Sequence, residues 1–146
     1  MEFLAGCVMG DGCILKRGAI QIEQGNKQKD YLIWKYQYLK ELVSVKPSKV
    51  MRIKKSGQKA YSYRFVLRQY FRAWRHQIYR NGKKVINDCL LKLLTPVSLA
   101  VWYMDDGCLR SKSQLIICTD GFSKNSIKKL RSHLKKTWGI NSDNGY

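Results

Sequence analysis

The stretch LTPVSLAVWYMDDG, Leu94 to Gly107, decides how the chain is to be folded. The Thr95 hydroxyl can accept a hydrogen bond from the first unpaired N–H groups of a helix, and Pro96 has the φ that a first helical position needs. A helix from Pro96 to just before Gly107 is therefore predicted, with Tyr103, Met104 and the adjacent carboxylates Asp105 and Asp106 in its last turns. Near the N-terminus LAGCVMGDG, Leu4 to Gly12, has the same Leu-Ala front and Asp-Gly end as LAVWYMDDG, Leu99 to Gly107. The chain carries an internal repeat, and a repeat constrains topology more tightly than either copy alone.

Similar elements come after each copy. Glu2 to Gly10 reads as a short apolar helix ended by Gly10 and Gly12, and Cys13–Arg17 with Ala19–Gln24 as a hairpin turning at Gly18. Leu32, Tyr36, Leu39 and Val43 recur at helical spacing, so a helix is expected over Lys27–Val43, with Pro47 marking its end. A second hairpin, Lys49–Lys55 and Lys59–Leu67, is expected around a loop of Ser56, Gly57 and Gln58. That register puts Arg52, Ser62, Arg64 and Arg68 on a basic face, and Met51, Ile53, Tyr61, Tyr63 and Phe65 on a core face. Helical segments are expected over Gln69–Arg80 and Ile86–Leu94. After Gly107, strands over Cys108–Lys112 and Gln114–Thr119 precede a helix capped by Ser123 and Gly139, with Ile127, Leu130, Leu134 and Trp138 on its apolar face.

At 146 residues the chain can bury one sizeable core, and 45% hydrophobic with 12% aromatic residues is a globular composition, not that of a disordered basic tail. Lys and Arg number 28 against 10 Asp and Glu, a formal net charge of +18. The imbalance is concentrated: Lys46 to Lys84 holds 13 basic residues and no acidic one, interleaved with aromatics. Basic charge on ordered strands and helices favours nucleic acid as the partner over a lipid surface or a merely solvated face. Five cysteines without a CxxC pair, and two histidines, make a poor zinc site. The odd cysteine count and the absence of a leader-like segment or an apolar run of membrane-spanning length predict an intracellular chain, with no membrane partner.

Tyr-Met-Asp-Asp is also the metal-binding turn of reverse transcriptases, but there the letters sit between strands, whereas Thr95 and Pro96 place them in a helix. The chain is also much too short for a polymerase's fingers, palm and thumb. The two motifs and the elements after each resemble instead the LAGLIDADG homing endonucleases, in particular the single-chain branch with two motifs. The resemblance implies an α+β fold of αββαββα pseudo-symmetric halves, motif helices packed together and curved antiparallel sheets on the DNA. Residues 1–94 would form the first half and 95–146 an incomplete second one. Ala5, Gly6 and Gly10 are small enough for close helix approach, while Val101 and Trp102 are bulkier.

The implied activity is metal-assisted hydrolysis of one phosphodiester on each strand of double-stranded DNA with a long recognition site. A carboxylate at a helix C-terminus opposes the macrodipole, and two such ends side by side repel each other until a cation binds. Asp11 and Asp106 are thus expected to hold Mg²⁺, with Mn²⁺ or Ca²⁺ able to substitute at the same oxygens. The resemblance makes Gln21 the polar residue orienting water and Lys84, or its neighbour Lys83, the basic residue beside it. Asp105 falls one position too early for the metal. The expected base-reading set is Gln21, Glu23, Arg52, Lys54, Arg64 and Arg68.

Set against the first half, the second lacks the second hairpin and the helices after it. Three accounts are open: a shortened chain, a fragment completed by a second chain, or a decayed gene product. The same surface also suits a maturase binding group I intron RNA, or a DNA-binding remnant without cleavage. A bacterial cytoplasm or an organelle, mitochondrion or chloroplast, is the compartment these readings imply.

Overall fold

The computed structural model describes residues 1–143. The chain forms two compact units: Met1–Gly10 together with the chain from His76 onward, and Asp11–Arg75. These units cut the chain elsewhere than the repeat does: the first motif as far as Gly10 groups with the second, whereas Asp11 and Gly12 fall in the other unit. The last three positions of the expected second half lie outside the described residues.

In the unit Asp11–Arg75, strand β1 (Cys13–Ile14) and strand β2 (Ile20–Gly25) form the first hairpin. Gly18 turns it at φ +90°, and an added Cβ there would lie 2.7 Å from the Arg72 backbone nitrogen, so conformation and space both require glycine. Helix α2 (Lys29–Leu39) follows, then strand β3 (Val43–Ile53) and strand β4 (Lys59–Leu67). The sheet is antiparallel with order β1-β2-β4-β3. Ile20, Ile22 and Gln24 of β2 are buried while Gln21 and Glu23 between them are half-buried, so the two faces differ in environment. Leu32 of α2 and Phe65 of β4 are both fully buried, and the Tyr36 ring meets Phe65 edge-on.

Three expectations in this unit are corrected. Helix α2 stops at Leu39, a single 3-10 turn covers Lys40–Leu42, and Pro47 lies inside β3, not at a helix end. It sits where the pairing with β4 slips between Val45 and Ser48, on the edge strand, where a residue without an N–H costs no ladder bond. The hairpin loop is Lys55–Gly57, one residue earlier than expected: the Lys54 N–H donates to the Gln58 carbonyl and the Gly57 N–H to that of Lys54. A one-residue shift of a loop moves the strand register by two, which leaves side-chain parity intact, so Arg52, Ser62 and Arg64 share a face as expected. The opposite face is core only at its Phe65 end; farther out Met51, Ile53 and Tyr61 are 49%, 67% and 41% exposed.

In the other unit, helix α1 (Glu2–Met9) is buried on every side from Phe3 onward. The expected helix over Gln69–Arg80 is only α3, Arg72–Ile78, whose N-terminal turn belongs to the Asp11–Arg75 unit. Tyr79–Arg80 is instead strand β5, paired with strand β6 (Lys83–Lys84) across Asn81 and Gly82, both at positive φ. Asn-Gly is the most favourable pair for this tight turn. Helix α4 is confined to Asp88–Lys92, capped by the Asn87 side chain, which accepts from the Leu90 N–H.

Helix α5 (Pro96–Asp106) begins as expected: Thr95 accepts from the Ser98 N–H, and the Thr95 N–H donates to the Ser98 hydroxyl. Strand β7 (Gly107–Ser111) and strand β8 (Gln114–Ile117) form a hairpin, with β8 ending two residues earlier than expected. Helix α6 (Lys124–Trp138) runs from the Ser123 cap to Gly139 at φ +67°. Its Leu130 and Leu134 are buried, whereas Ile127 and Trp138 are only half so. Among the described residues no helix is long and apolar enough to cross a membrane.

Candidate metal and nucleic-acid site

Helices α1 and α5 pack against one another at corresponding positions of the repeat. A Cβ on Gly6 would lie 2.5 Å from the Ser98 carbonyl oxygen and 2.8 Å from the Val101 Cβ, and one on Gly10 would lie 2.4 Å from an Asp105 carboxylate oxygen. Gly6 and Val101 are both the third residue of their motifs, and Gly10 and Asp105 both the seventh. Each meeting point pairs a glycine of the first copy with a larger residue of the second. Val101 thus packs opposite Gly6, and both Val101 and Trp102 are buried. A contact of this kind leaves no space for a side chain. Gly6→Val should destabilise the fold by about 1–3 kcal/mol through overpacking, since a carbonyl cannot rotate away as a side-chain tip can. Urea unfolding would measure it, and a loss below about 0.5 kcal/mol, the range of a neutral surface change, would contradict the packing.

At the far end of α5, Asp106 is held twice. The Trp102 Nε1–H donates to its carboxylate at 3.2 Å, and its backbone carbonyl accepts from the Cys118 N–H at 2.9 Å. Trp102 is fully buried and meets Phe122 edge-on, so the donor is fixed by packing. This partner was missed in the sequence, although a spacing of four on one helix face is a readable signal. Neither α1 nor α5 carries a basic residue in its last turn. Lys84 of β6 reaches in from elsewhere: its ammonium donates to the Gly10 carbonyl at 2.8 Å, placing a cation at the negative end of α1. Lys83 is exposed, whereas Lys84 is half-buried, so the geometry distinguishes the two neighbours.

Asp11 is exposed and is the residue directly after Gly10. It stands two residues before Cys13, whose backbone pairs with Gln21, so Asp11 and Gln21 belong to the same end of the β1–β2 hairpin. Among the described residues there is no group of three or more His, Cys, Asp or Glu that could hold a metal ion. Asp106 is the last residue of α5, whereas Asp11 stands two residues beyond the end of α1.

The expected base-reading residues lie on the unit Asp11–Arg75. The register sets Glu23 opposite Arg64 and Gln21 opposite Val66, with β4 joined in turn to β3. Arg52 forms an ion pair with Glu23 across the sheet, and the Ser62 hydroxyl donates to the same carboxylate at 2.5 Å. The Arg52 guanidinium, chiefly by hydrogen bonding, holds the Glu23 carboxyl below the usual carboxylate range against the opposing effect of burial. Lys54 lies just beyond β3 and Arg68 just beyond β4; both are exposed, and the Arg68 guanidinium reaches the Tyr70 hydroxyl at 3.5 Å.

Comparison with known proteins bears on the family and the fold. The chain is 31% identical to protein RecA of Mycobacterium gastri over 159 residues, covering 95% of this chain and 36% of that protein. It is 28% identical to the cytochrome b mRNA maturase bI2 of Debaryomyces hansenii over 152 residues, covering 97% of this chain and 58% of that one. The chain thus spans less than two thirds of either relative. Its fold matches that of the homing endonuclease I-WcaI bound to its DNA recognition sequence, with a TM-score of 0.85 and 27% identity, covering 99% of this chain and 70% of that chain. The profile of the LAGLIDADG DNA endonuclease family matches residues 1–144, and the chain belongs to that family.

Proposed function

We propose that the chain is a site-specific double-stranded DNA endonuclease in which Asp11 and Asp106 hold Mg²⁺. The observation that carries this reading is the α1–α5 contact: matching positions of the two motifs meet at Gly6 with Val101 and at Gly10 with Asp105, and the next residue in each copy is an aspartate. The bound cation would supply Lewis-acid stabilisation of the scissile phosphate and lower the pKa of a water. The protein's share is to aim carboxylates and donors at that point. Trp102 fixes the Asp106 carboxylate, Gln21 on β2 orients water, and Lys84, anchored on the Gly10 carbonyl, offers positive charge to the phosphate. The sheet face that carries Gln21, Glu23, Arg52, Lys54, Arg64 and Arg68 is the one that meets bases and phosphates.

On this reading residues 1–94 are one motif half and 95–146 part of another. A DNA substrate implies a compartment that holds DNA, a bacterial cytoplasm or an organelle. A second reading, binding of intron RNA, is favoured by the similarity to a maturase across 97% of this chain. Incubation with a pool of duplexes and Mg²⁺ separates the two. Cleavage abolished by Asp106→Asn supports the nuclease, and uncut DNA alongside tight binding of intron RNA supports the maturase.

A further inference from the structure

Glu23 has the side chain expected to accept a hydrogen bond from cytosine, yet its oxygens are already engaged. Arg52 Nη1 donates to one carboxylate oxygen, and Arg52 Nη2 donates to the other at 2.8 Å. The Ser62 hydroxyl adds a bond at 2.5 Å to the first oxygen, and Gln21 Nε2 approaches the second at 3.5 Å. Three adjacent strands, β2, β4 and β3, thus converge on one carboxylate that is 17% exposed. Arg52 Nη1 also contacts the Ser62 hydroxyl at 3.3 Å. The end-on edge of the guanidinium is therefore used up within the protein.

A guanidinium has a second fork, formed by Nε–H and the outer hydrogen of Nη2, with the geometry of a bidentate donor. Among the described residues that fork has no acceptor, and the Arg52 side chain is 56% exposed. Its orientation is fixed by the two bonds to Glu23, so little rotamer freedom remains to be lost when it meets a ligand. Guanine presents O6 and N7 in the major groove at the spacing such a fork fits. We infer that Glu23 is a positioning residue, not a base reader, and that it orients Arg52 to read a single guanine. This rests on the proposal that the chain binds double-stranded DNA.

Three roles for the pair look alike in a contact map and differ in their consequences. Were Arg52 a phosphate contact, its loss would weaken every sequence alike. Were the pair only a strand-to-strand tie, its loss would lower stability and leave preference untouched. As an aimed guanine reader, Arg52 governs one position of the site, and Glu23 governs the same position without touching DNA.

The test is selection from a pool of randomised duplexes in Ca²⁺, which keeps bound DNA uncut, using the intact chain and the variants Arg52→Ala, Arg52→Lys and Glu23→Gln. The intact chain should require guanine at one position by about tenfold or more, the discrimination typical of one bidentate pair. Arg52→Ala and Arg52→Lys should lose that requirement alone, because an ammonium cannot form the fork. Glu23→Gln should relax the same position and no other, with a melting temperature close to that of the parent. An unchanged preference in Glu23→Gln, or a uniform loss in Arg52→Ala, overturns the inference while leaving the DNA reading standing. Failure of the intact chain to retain any duplex at low salt overturns the DNA reading, and this inference with it.

Discussion

Asp106→Asn should reduce DNA cleavage by at least about 100-fold while leaving duplex binding in Ca²⁺ within a few-fold of the parent. Substitutions one layer away from a metal commonly cost about 10–100-fold, and loss of a ligand's charge should cost no less. Asparagine keeps the size of the side chain and an oxygen that can accept from Trp102 Nε1, so the α5 terminus should keep its geometry. The separation of binding from cleavage is what identifies Asp106 with the chemistry. Trp102→Phe probes the layer behind it by removing the donor and retaining an aromatic ring beside Phe122. Cleavage by that variant, measured well below its melting temperature, should fall about 10–100-fold. Equal cleavage by the parent and Asp106→Asn would remove Asp106 from the metal site. A loss of binding as large as the loss of cleavage would point to a structural role for the carboxylate.

How much of this was legible in the sequence depended on the range of the forces involved. The start of α5 was readable because a cap is settled within four residues, by Thr95, Pro96 and Ser98, and the limits of α6 were readable from Ser123 and Gly139 for the same reason. The face of the β3–β4 hairpin was readable despite a misplaced loop, because parity survives a two-residue slip. Pro47 was misjudged because its place in a strand depends on β3 being an edge and on a bulge beside it, facts of the whole sheet. The β5–β6 turn was missed although Asn81-Gly82 announces it, since the apolar spacing around it also suits a helix. The candidate site divides in the same way. The repeat brought out Asp11 and Asp106, whereas the pairing of Glu23 with Arg52 joins residues on two strands that a third separates, and no local pattern encodes it.

Affinity for duplex DNA should fall by about 10³-fold or more as salt rises from 50 to 200 mM. The expectation rests on counterion release: each phosphate neutralised contributes about −0.9 to the slope of log K against log salt, so six contacts give roughly a thousandfold over this range. The chain has charge enough for that number, with 13 basic and no acidic residues between Lys46 and Lys84. Within the sheet Arg64 faces Glu23 across the β2–β4 pairing, while the Arg52 charge is partly spent on Glu23, so not every basic residue counts as a phosphate contact. Exposed Lys49, Lys54, Lys55, Lys59 and Arg68 on and around β3 and β4 are the stronger candidates. Titration of a labelled duplex at several salt concentrations would give the slope directly. Neutralising one of these lysines should reduce its magnitude by about one without changing sequence preference, the signature of a backbone contact. A slope near zero would show that the basic strands do not bind the phosphate backbone, and would leave the +18 charge of the chain without a nucleic-acid explanation.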